Sequence, residues 1–479
     1  MPGLMKTLGV GLGNMKPPHH FRTHVALAPS RQRGAATLVV VMSLFFIIAM
    51  VAAYTSRNLI FEQKTSANQY RSTQALEAAE AGVEWALAML NGGRINEQCV
   101  PTPNDLTNST FRARYIDSID TGSAHTLRPR AFNALLPVCV FDASAVPNKW
   151  KCQCSSDAAA PASLPDVLGS GPKPMFRIKF EPSTRSNTLA IVSAGCTRPD
   201  VSCIAEAPSA PGGDALAIVT ALVTLKSGLT APPLAPLNAR GTITIPVGAA
   251  PLRAVTDTSV AVIVGGAVVG AIERAGAAGT PGPPPAQSTT DSLLALDPSV
   301  AGDPWLAVPL GDRMFASVFG MLPQQPAGVD RFPIYPDQPG VVRIDCTAGC
   351  NSNAVNTAAQ RNPGRVLWLD GDLVVNGDIG SPLSTSVTLL ASEVAPAGPV
   401  LLIVTGNATL TSGRVYGAVY GTAATLDLGV TGGATIQGAL IAGNNLSGSG
   451  TVIYDAEILN RLRTRHGSYV RVPGGWKDF

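Results

Sequence analysis

From Gly34 to Ser56 the chain carries no charged residue, and its centre, Leu38-Val39-Val40-Val41-Met42-Ser43-Leu44-Phe45-Phe46-Ile47-Ile48, offers almost no polar surface. The run exceeds the roughly 20 apolar residues needed to cross a hydrocarbon core about 30 Å thick. In lipid a single segment satisfies its backbone only as a helix. Arg31 and Arg33 stand before the run and Arg57 after it. No proline occurs between Pro29 and Pro101, so nothing breaks the helix at the membrane edge. Beyond it Leu76, Ala79, Val83, Ala86 and Leu90 recur at three-and-four spacing, flanked by Glu77, Glu80 and Glu84 as a solvated or interhelical polar face. Asn91-Gly92-Gly93 reads as a stop in which glycine supplies a left-handed cap. A helix from Ala35 to Asn91 is about 85 Å long at 1.5 Å per residue.

The net charge of +3 hides an asymmetry. Residues 1–34 hold Lys6, Lys16, Arg22, Arg31 and Arg33 and no acid, which leaves 30 basic against 32 acidic residues elsewhere. The remainder lacks the basic surplus of a nucleic-acid binder. The basic start fits the positive-inside rule and places residues 1–33 in the cytoplasm and the bulk outside. Gly9-x-Gly11-x-Gly13 has neither the preceding strand nor the spacing of a nucleotide loop, and His19, His20 and His24 read as incidental. Met5 and Met15 are alternative starts. With 48 Gly, 39 Pro and 14% charged residues, the exterior is expected to be β-rich and turn-rich.

A secretory signal has a shorter apolar core, of roughly 7–15 residues, with its small-residue site after it. Here Gly34-Ala35 comes before the run. An ordinary signal anchor explains the hydropathy, and a prepilin-type signal explains the glycine as well. The segments Arg31-Gln32-Arg33-Gly34-Ala35-Ala36-Thr37-Leu38, Ala53-Tyr54-Thr55-Ser56-Arg57-Asn58 and Glu62-Gln63-Lys64 through Ala78-Ala79-Glu80-Ala81-Gly82-Val83-Glu84 resemble the N-terminal domain of PilX-type minor pilins of type IV pili. The resemblance covers about residues 31–92. It implies a bacterial inner-membrane, single-pass subunit whose helix packs with other pilins and minor pilins. It further implies cleavage between Gly34 and Ala35 by a prepilin peptidase. Major pilins of this kind carry Glu at the fifth mature position, where this chain has Val39, and Phe at the first, where it has Ala35. Val39 is the easier residue to keep in lipid. Within the family its presence points to a tip or initiation position rather than a repeating shaft subunit.

All eight cysteines follow the span, as expected of disulfides in an oxidising periplasm or cell surface. Cys152-x-Cys154 does not readily close on itself, so each pairs elsewhere among Cys99, Cys139, Cys196 and Cys203. Cys196 with Cys203, and Cys346 with Cys350, suit short loops, and the other pairings stay open. A zinc site from Cys139, Cys152, Cys154 and a fourth thiolate is the competing reading, against which the spacing and the compartment both argue. Strands are expected at Phe176–Phe180, Leu189–Ser193 and Ala215–Lys226.

From Pro232 the composition turns to Val, Ile, Thr, Ala and Gly. Strands are expected within Gly241–Gly248 and Ser259–Val269, then a linker at Thr280–Pro285 and helical segments over about 289–322. A rough repeat follows: Val366–Gly377, Val400–Gly413, Arg414–Gly421, Gly432–Gly443 and Gly448–Tyr454, each a short alternating strand closed by a glycine turn. Stacked coils bury a ladder that one coil alone cannot, which favours a β-solenoid over the runner-up β-sandwich. Asp455–Arg465 is expected to be a helix capping an open solenoid end, and Val472–Phe479 resembles the tail of PilX-like chains.

The fold class expected is α+β: a long membrane-spanning helix, then a mostly β exterior with a β-solenoid-like C-terminal module. The domains read as a basic leader at 1–34, a pilin-like helix at 35–92 with its span at about 35–56, a disulfide-rich mixed α/β domain at 93–229 and the β-rich module at 230–479. Catalytic constellations are not found. Outside the leader only His125 and His466 remain, and Gly-x-Ser-x-Gly and Walker loops are absent. Asp370, Asp372 and Asp378 suit polar turns better than a calcium site. No enzyme activity, cofactor, metal or nucleic-acid partner is expected. The function expected is a minor-pilin-like component of type IV pilus assembly or initiation, near the tip and with a role in adhesion. The C-terminal part would stand in the periplasm or on the pilus surface. The alternative is an uncleaved, membrane-anchored periplasmic β-solenoid that binds polysaccharide.

Overall fold

A computed structural model of the chain describes residues 33–121, 124–130, 136–146, 149–155, 164–167, 172–185, 187–210, 214–258, 260–276, 286–287, 308–324, 334–382, 398–431 and 433–478. The chain divides into two compact units, Met1–Ala67 and Asn68–Phe479. Residues 1–32 of the leader, the expected linker at 280–285 and the predicted helix near residue 289 lie outside the described residues. Helix α1 (Arg33–Leu90) belongs in its first part to the first unit, where every residue from Ala36 to Ala67 is exposed. The later helices are α2 (Phe111–Tyr115), α3 (Leu310–Phe319), α4 (Ser352–Arg361) and α5 (Ala456–Arg465).

The early strands are β1 (Ile116–Thr121), β2 (Ala124–Pro129), β3 (Val138–Phe141), β4 (Trp150–Gln153), β5 (Met175–Pro182), β6 (Thr188–Cys196) and β7 (Leu216–Ser227). Next come β8 (Leu237–Ala239), β9 (Ile243–Thr244), β10 (Leu252–Val255), β11 (Val262–Val264), β12 (Val268–Val269), β13 (Ile272–Ala275) and β14 (Ala286–Gln287). The later ones are β15 (Val341–Asn351), β16 (Val366–Asn376), β17 (Val400–Val404), β18 (Ala408–Ser412), β19 (Arg414–Gly421) and β20 (Thr425–Asp427). The last are β21 (Thr435–Ala442), β22 (Asn445–Ser447), β23 (Gly450–Tyr454) and β24 (Gly467–Asp478).

The first sheet runs in the order β24-β7-β6-β5-β3-β4, with every pairing antiparallel. Its edge strand β24 is the C-terminal tail, which returns from the far end of the sequence to pair with β7. The last turns of α1 lie on this sheet through Ala75, Ala79, Val83, Ala86 and Leu90, which are buried with Phe176, Ile178, Ile191 and Val219. Leu76 is only half-buried, whereas Ala75 takes a fully buried position. Glu77, Glu80 and Glu84 are exposed.

Contact is this close because small residues meet on both elements. A Cβ on Gly195 of β6 would stand 2.2 Å from the Ala75 carbonyl oxygen, and one on Gly82 would stand 2.2 Å from Ser193 Oγ. The helix stops where predicted, by a different device. Neither Gly92 nor Gly93 takes a positive φ; instead Asn91 Nδ2 donates to the Leu87 carbonyl at 3.1 Å and the Gly92 amide to Met89 at 2.9 Å. The same Asn91 side chain exchanges two hydrogen bonds with the Tyr469 backbone, at 2.9 and 2.8 Å, as a neighbouring strand would.

The second assembly is parallel throughout its described ladders. Its main path is β13-β10-β23-β21-β19-β17-β16-β15, and a smaller sheet runs β12-β9-β22-β20. The predicted repeat units correspond to β16, β17 with β18, β19, β21 and β23. The middle strands, β17 and the second halves of β19 and β21, are buried on both faces, as central parallel strands require. Leu402, Val404, Val419 and Leu440 point to an inner core, whereas Leu401, Ile403, Ala418, Tyr420, Ala439 and Ile441 point outward under α3 and α5. Phe315 and Phe319 of α3, with Ile458, Leu459 and Leu462 of α5, cover that outer face.

This corrects the capping role expected of Asp455–Arg465. The helix forms, with Asp455 Oδ1 accepting from the Glu457 and Ile458 amides, but it packs on the flank of β19 and β21 rather than at an end. Its stripe of Ile458, Leu459 and Leu462 needs a broad apolar surface, which the flank supplies. The end of the main path is closed instead by α4, whose Val355 and Ala359 join the inner core beside β15 and β16.

Candidate assembly helix

The first part of α1 presents large apolar side chains on every side: Leu38 is 65% exposed, Phe45 70%, Met50 74% and Phe61 74%. A helix apolar all round is stable only when buried or in lipid, since exposing apolar area to water costs about 25 cal/mol per Å². Three of its hydroxyls bond back into the helix. Ser43 Oγ donates to the Val40 carbonyl at 2.9 Å, Thr55 Oγ1 to Val51 at 2.9 Å and Ser56 Oγ to Ala53 at 3.0 Å. Bonding back into the helix lets Ser and Thr enter hydrocarbon without an unpaired polar group. Among the described residues this is the one helix long and apolar enough to cross a membrane. Gly34 and Ala35 fall in its first turn, and Val39 is 64% exposed.

The geometry coincides with a family match. Residues 33–84 match the family model described as PilX N-terminal. This stretch is similar to a PilX-type N-terminal segment. The match ends within the turns of α1 that lie on the first sheet, so the PilX-type segment contains both the apolar run and most of the small-residue packing face. No curated protein matches the chain. Among solved structures, the competence-associated pilin ComZ from Thermus thermophilus overlaps 85% of this chain and 97% of its own, at 13% identity and a TM-score of 0.22. That superposition is too loose to bear on fold or function.

All eight cysteines are bonded: Cys99 to Cys154, Cys139 to Cys152, Cys196 to Cys203 and Cys346 to Cys350. Cys152 and Cys154 do pair elsewhere, and the two short loops close as expected. Cys139 and Cys152 are directly opposite on β3 and β4, so the zinc alternative loses its thiolates. The three loop acids are hydrogen-bond acceptors. Asp370 takes Trp368 Nε1 at 2.6 Å and Arg343, Asp372 takes the Asn407 amide at 2.8 Å, and Asp378 takes the Arg414 amide at 2.8 Å. Among the described residues no cluster of His, Cys, Asp or Glu suits a metal ion.

Arginines tie the region after α1 to the parallel stack. Arg94 Nε donates to the Gln360 carbonyl at 2.8 Å, in the last turn of α4, where a cation also meets the negative end of the helix dipole. Arg112 donates to the Pro363 carbonyl and Arg365 to that of Asn91. Burial lowers Arg365 to about 10, with Arg112 adding to the shift. His466, at the end of α5, is pushed down to about 3 by burial and by the charges of Arg112 and Arg465.

Sequence reasoning missed Asn91, Gly82 and Gly195 as the residues that set the helix on its sheet. Gly82 carried a signal, because a glycine inside a run of strong helix formers costs about 1 kcal/mol and asks for a packing reason. Gly195 carried no signal of its own.

Proposed function

We propose that the chain is a structural subunit of a type IV pilus or of the complex that starts one, held in the inner membrane by α1 and packing there with the helices of other pilins. The observation that carries this is the coincidence of the PilX-type segment, residues 33–84, with a helix whose first part exposes apolar side chains all round. The chain enters as a minor subunit near the tip. Supporting this, Val39 offers no carboxylate to a neighbour's N-terminal amine. A prepilin peptidase cuts between Gly34 and Ala35, freeing the start of α1. Residues 68–479 then stand outside the membrane, in the periplasm or on the pilus, and serve display or adhesion rather than catalysis. The parallel ladders from β8 to β23 support a β-solenoid reading of this module.

Intact mass of membrane-extracted protein, with and without the peptidase, tests the proposal. A loss of residues 1–34 that Gly34→Leu abolishes is expected. An N-terminus unchanged in both would refute the cleaved form and favour an uncleaved anchor, whose solenoid would then be assayed for polysaccharide binding.

A further inference from the structure

Among the described residues the parallel stack ends at β15, which pairs there with β16 on one side only. An open strand edge exposes unpaired amides and carbonyls that recruit another strand. Here the edge is interrupted. Val341 to Cys346 run in step with Val366 to Gly371, but the next pairing is Cys350 with Leu373, so four steps on β15 answer two on β16. The excess forms a loop, Cys346-Thr347-Ala348-Gly349-Cys350, closed by a disulfide. Asp345 Oδ1 turns the chain outward by accepting from the Thr347 amide at 3.0 Å and its hydroxyl at 2.7 Å, and Gly349 takes φ +82°. The intact part of the strand carries Arg343, held by Asp370 at 3.0 Å and Asp337 at 3.7 Å. Directly after the loop, α4 lays Val355 and Ala359 on the inner core.

We propose that residues 341–361 are an end stop. The disulfide loop prevents β15 from adding the β15 strand of a second copy, and α4 seals the core behind it. The occupant excluded is a second copy because its edge has the same length and register, and alternating Arg343 and Asp345 would complement it in an antiparallel pairing. Proteins built from stacked coils need such terminal devices to stay soluble. The proposal rests on the parallel ladders and is independent of the pilin reading.

The test uses the full chain in detergent. In one variant Cys346→Ser and Cys350→Ser open the loop; in a second, the same changes are combined with deletion of Thr347 and Ala348, which brings β15 into step with β16. Light-scattering mass is followed over a tenfold concentration range, with amide exchange at Val341–Asp345. The straightened variant is expected to associate with rising concentration, and exchange at those amides to slow by about tenfold or more as the edge becomes paired. The opened loop should show the same in smaller degree. A straightened variant with the parent's circular dichroism and melting, but unchanged mass and exchange, overturns the proposal. Should straightening prevent folding, unchanged mass and exchange in the opened-loop variant overturns it equally.

Discussion

The antiparallel sheet and the parallel stack solve the same problem by different means. In the sheet, β3 to β7 follow one another in the sequence and the C-terminal tail, β24, joins them from afar, while Cys99–Cys154, Cys139–Cys152 and Cys196–Cys203 staple the chain around them. In the stack, β15 to β23 follow in sequence, but β8, β9 and β10 reach across the chain to pair with β21, β22 and β23, and the one disulfide sits at the stack's edge. Its order comes from two-sided burial and from glycines at contact. Gly417 and Gly438 lie side by side at φ +149° and +140°, and a Cβ on either would stand 2.0 Å or less from a carbonyl oxygen of the next strand. Disulfides offset loop closure in the first case, whereas in the stack the distant strands β8, β9 and β10 are held by backbone ladders alone.

The largest expected effect comes from filling those contacts. Gly417→Val forces both a disfavoured φ and a backbone collision, which should cost of order 3 kcal/mol or more and make the stack sensitive to protease. Gly195→Leu should do comparable damage elsewhere, exposing residues 75–90 of α1 to cleavage while β16 to β23 stay protected. Equal loss of both regions in either variant would mean that they fold as one cooperative element.

Next in size is the covalent difference. Cys99→Ser with Cys154→Ser should destabilise by roughly 2–5 kcal/mol. Reduction should raise amide exchange in β3 to β6 well before it does so in β17, β19 and β21. Uniform acceleration would contradict the contrast.

A smaller effect follows from His466, whose carbonyl accepts from Gly228 at 2.7 Å where the two assemblies meet. Its folded pKa lies near 3, below the ordinary 6.5. The unfolded chain therefore binds the extra proton between these values. Stability is full above about 6.5 and falls as pH drops toward 3. His466→Phe should flatten the pH dependence of the urea midpoint between about pH 6.5 and 4, which lies above the range where Asp142, held down to about 2 chiefly by Lys151, loses its contribution. An unchanged slope would remove His466 from the explanation.

The smallest effect is expected at Glu84, paired with Arg471 of β24 and 64% exposed. Glu84→Gln should cost no more than about 1 kcal/mol in chemical denaturation. A larger loss would show that the tail, rather than the small-residue face, holds α1 to the sheet.

Much of this was legible in the sequence, for local reasons. The unbroken apolar run announces a helix, and strands such as Met175–Pro182 and Arg414–Gly421 are bounded by their own turn residues. Cys196 with Cys203 and Cys346 with Cys350 are close enough in sequence to pair by proximity. What stayed hidden depends on distant partners. Nothing near Tyr469 foretells its exchange of hydrogen bonds with Asn91, and nothing in Val400-Leu401-Leu402-Ile403-Val404 says that alternate residues serve two different cores. The terminal helix is legible as an element, but its place on the flank of β19 and β21, rather than at an end, is not. Its amphipathic pattern specifies an apolar partner without specifying which one.

Photo-crosslinking from Phe61, exposed on α1 outside the uncharged run, tests the assembly role of the PilX-type segment most directly. With a photoreactive residue at that position and pili sheared from whole cells, the pilin reading predicts adducts to other pilin helices in the sheared fraction. Recovery solely in the membrane fraction, with crosslinks to lipid and none to pilins, would contradict it.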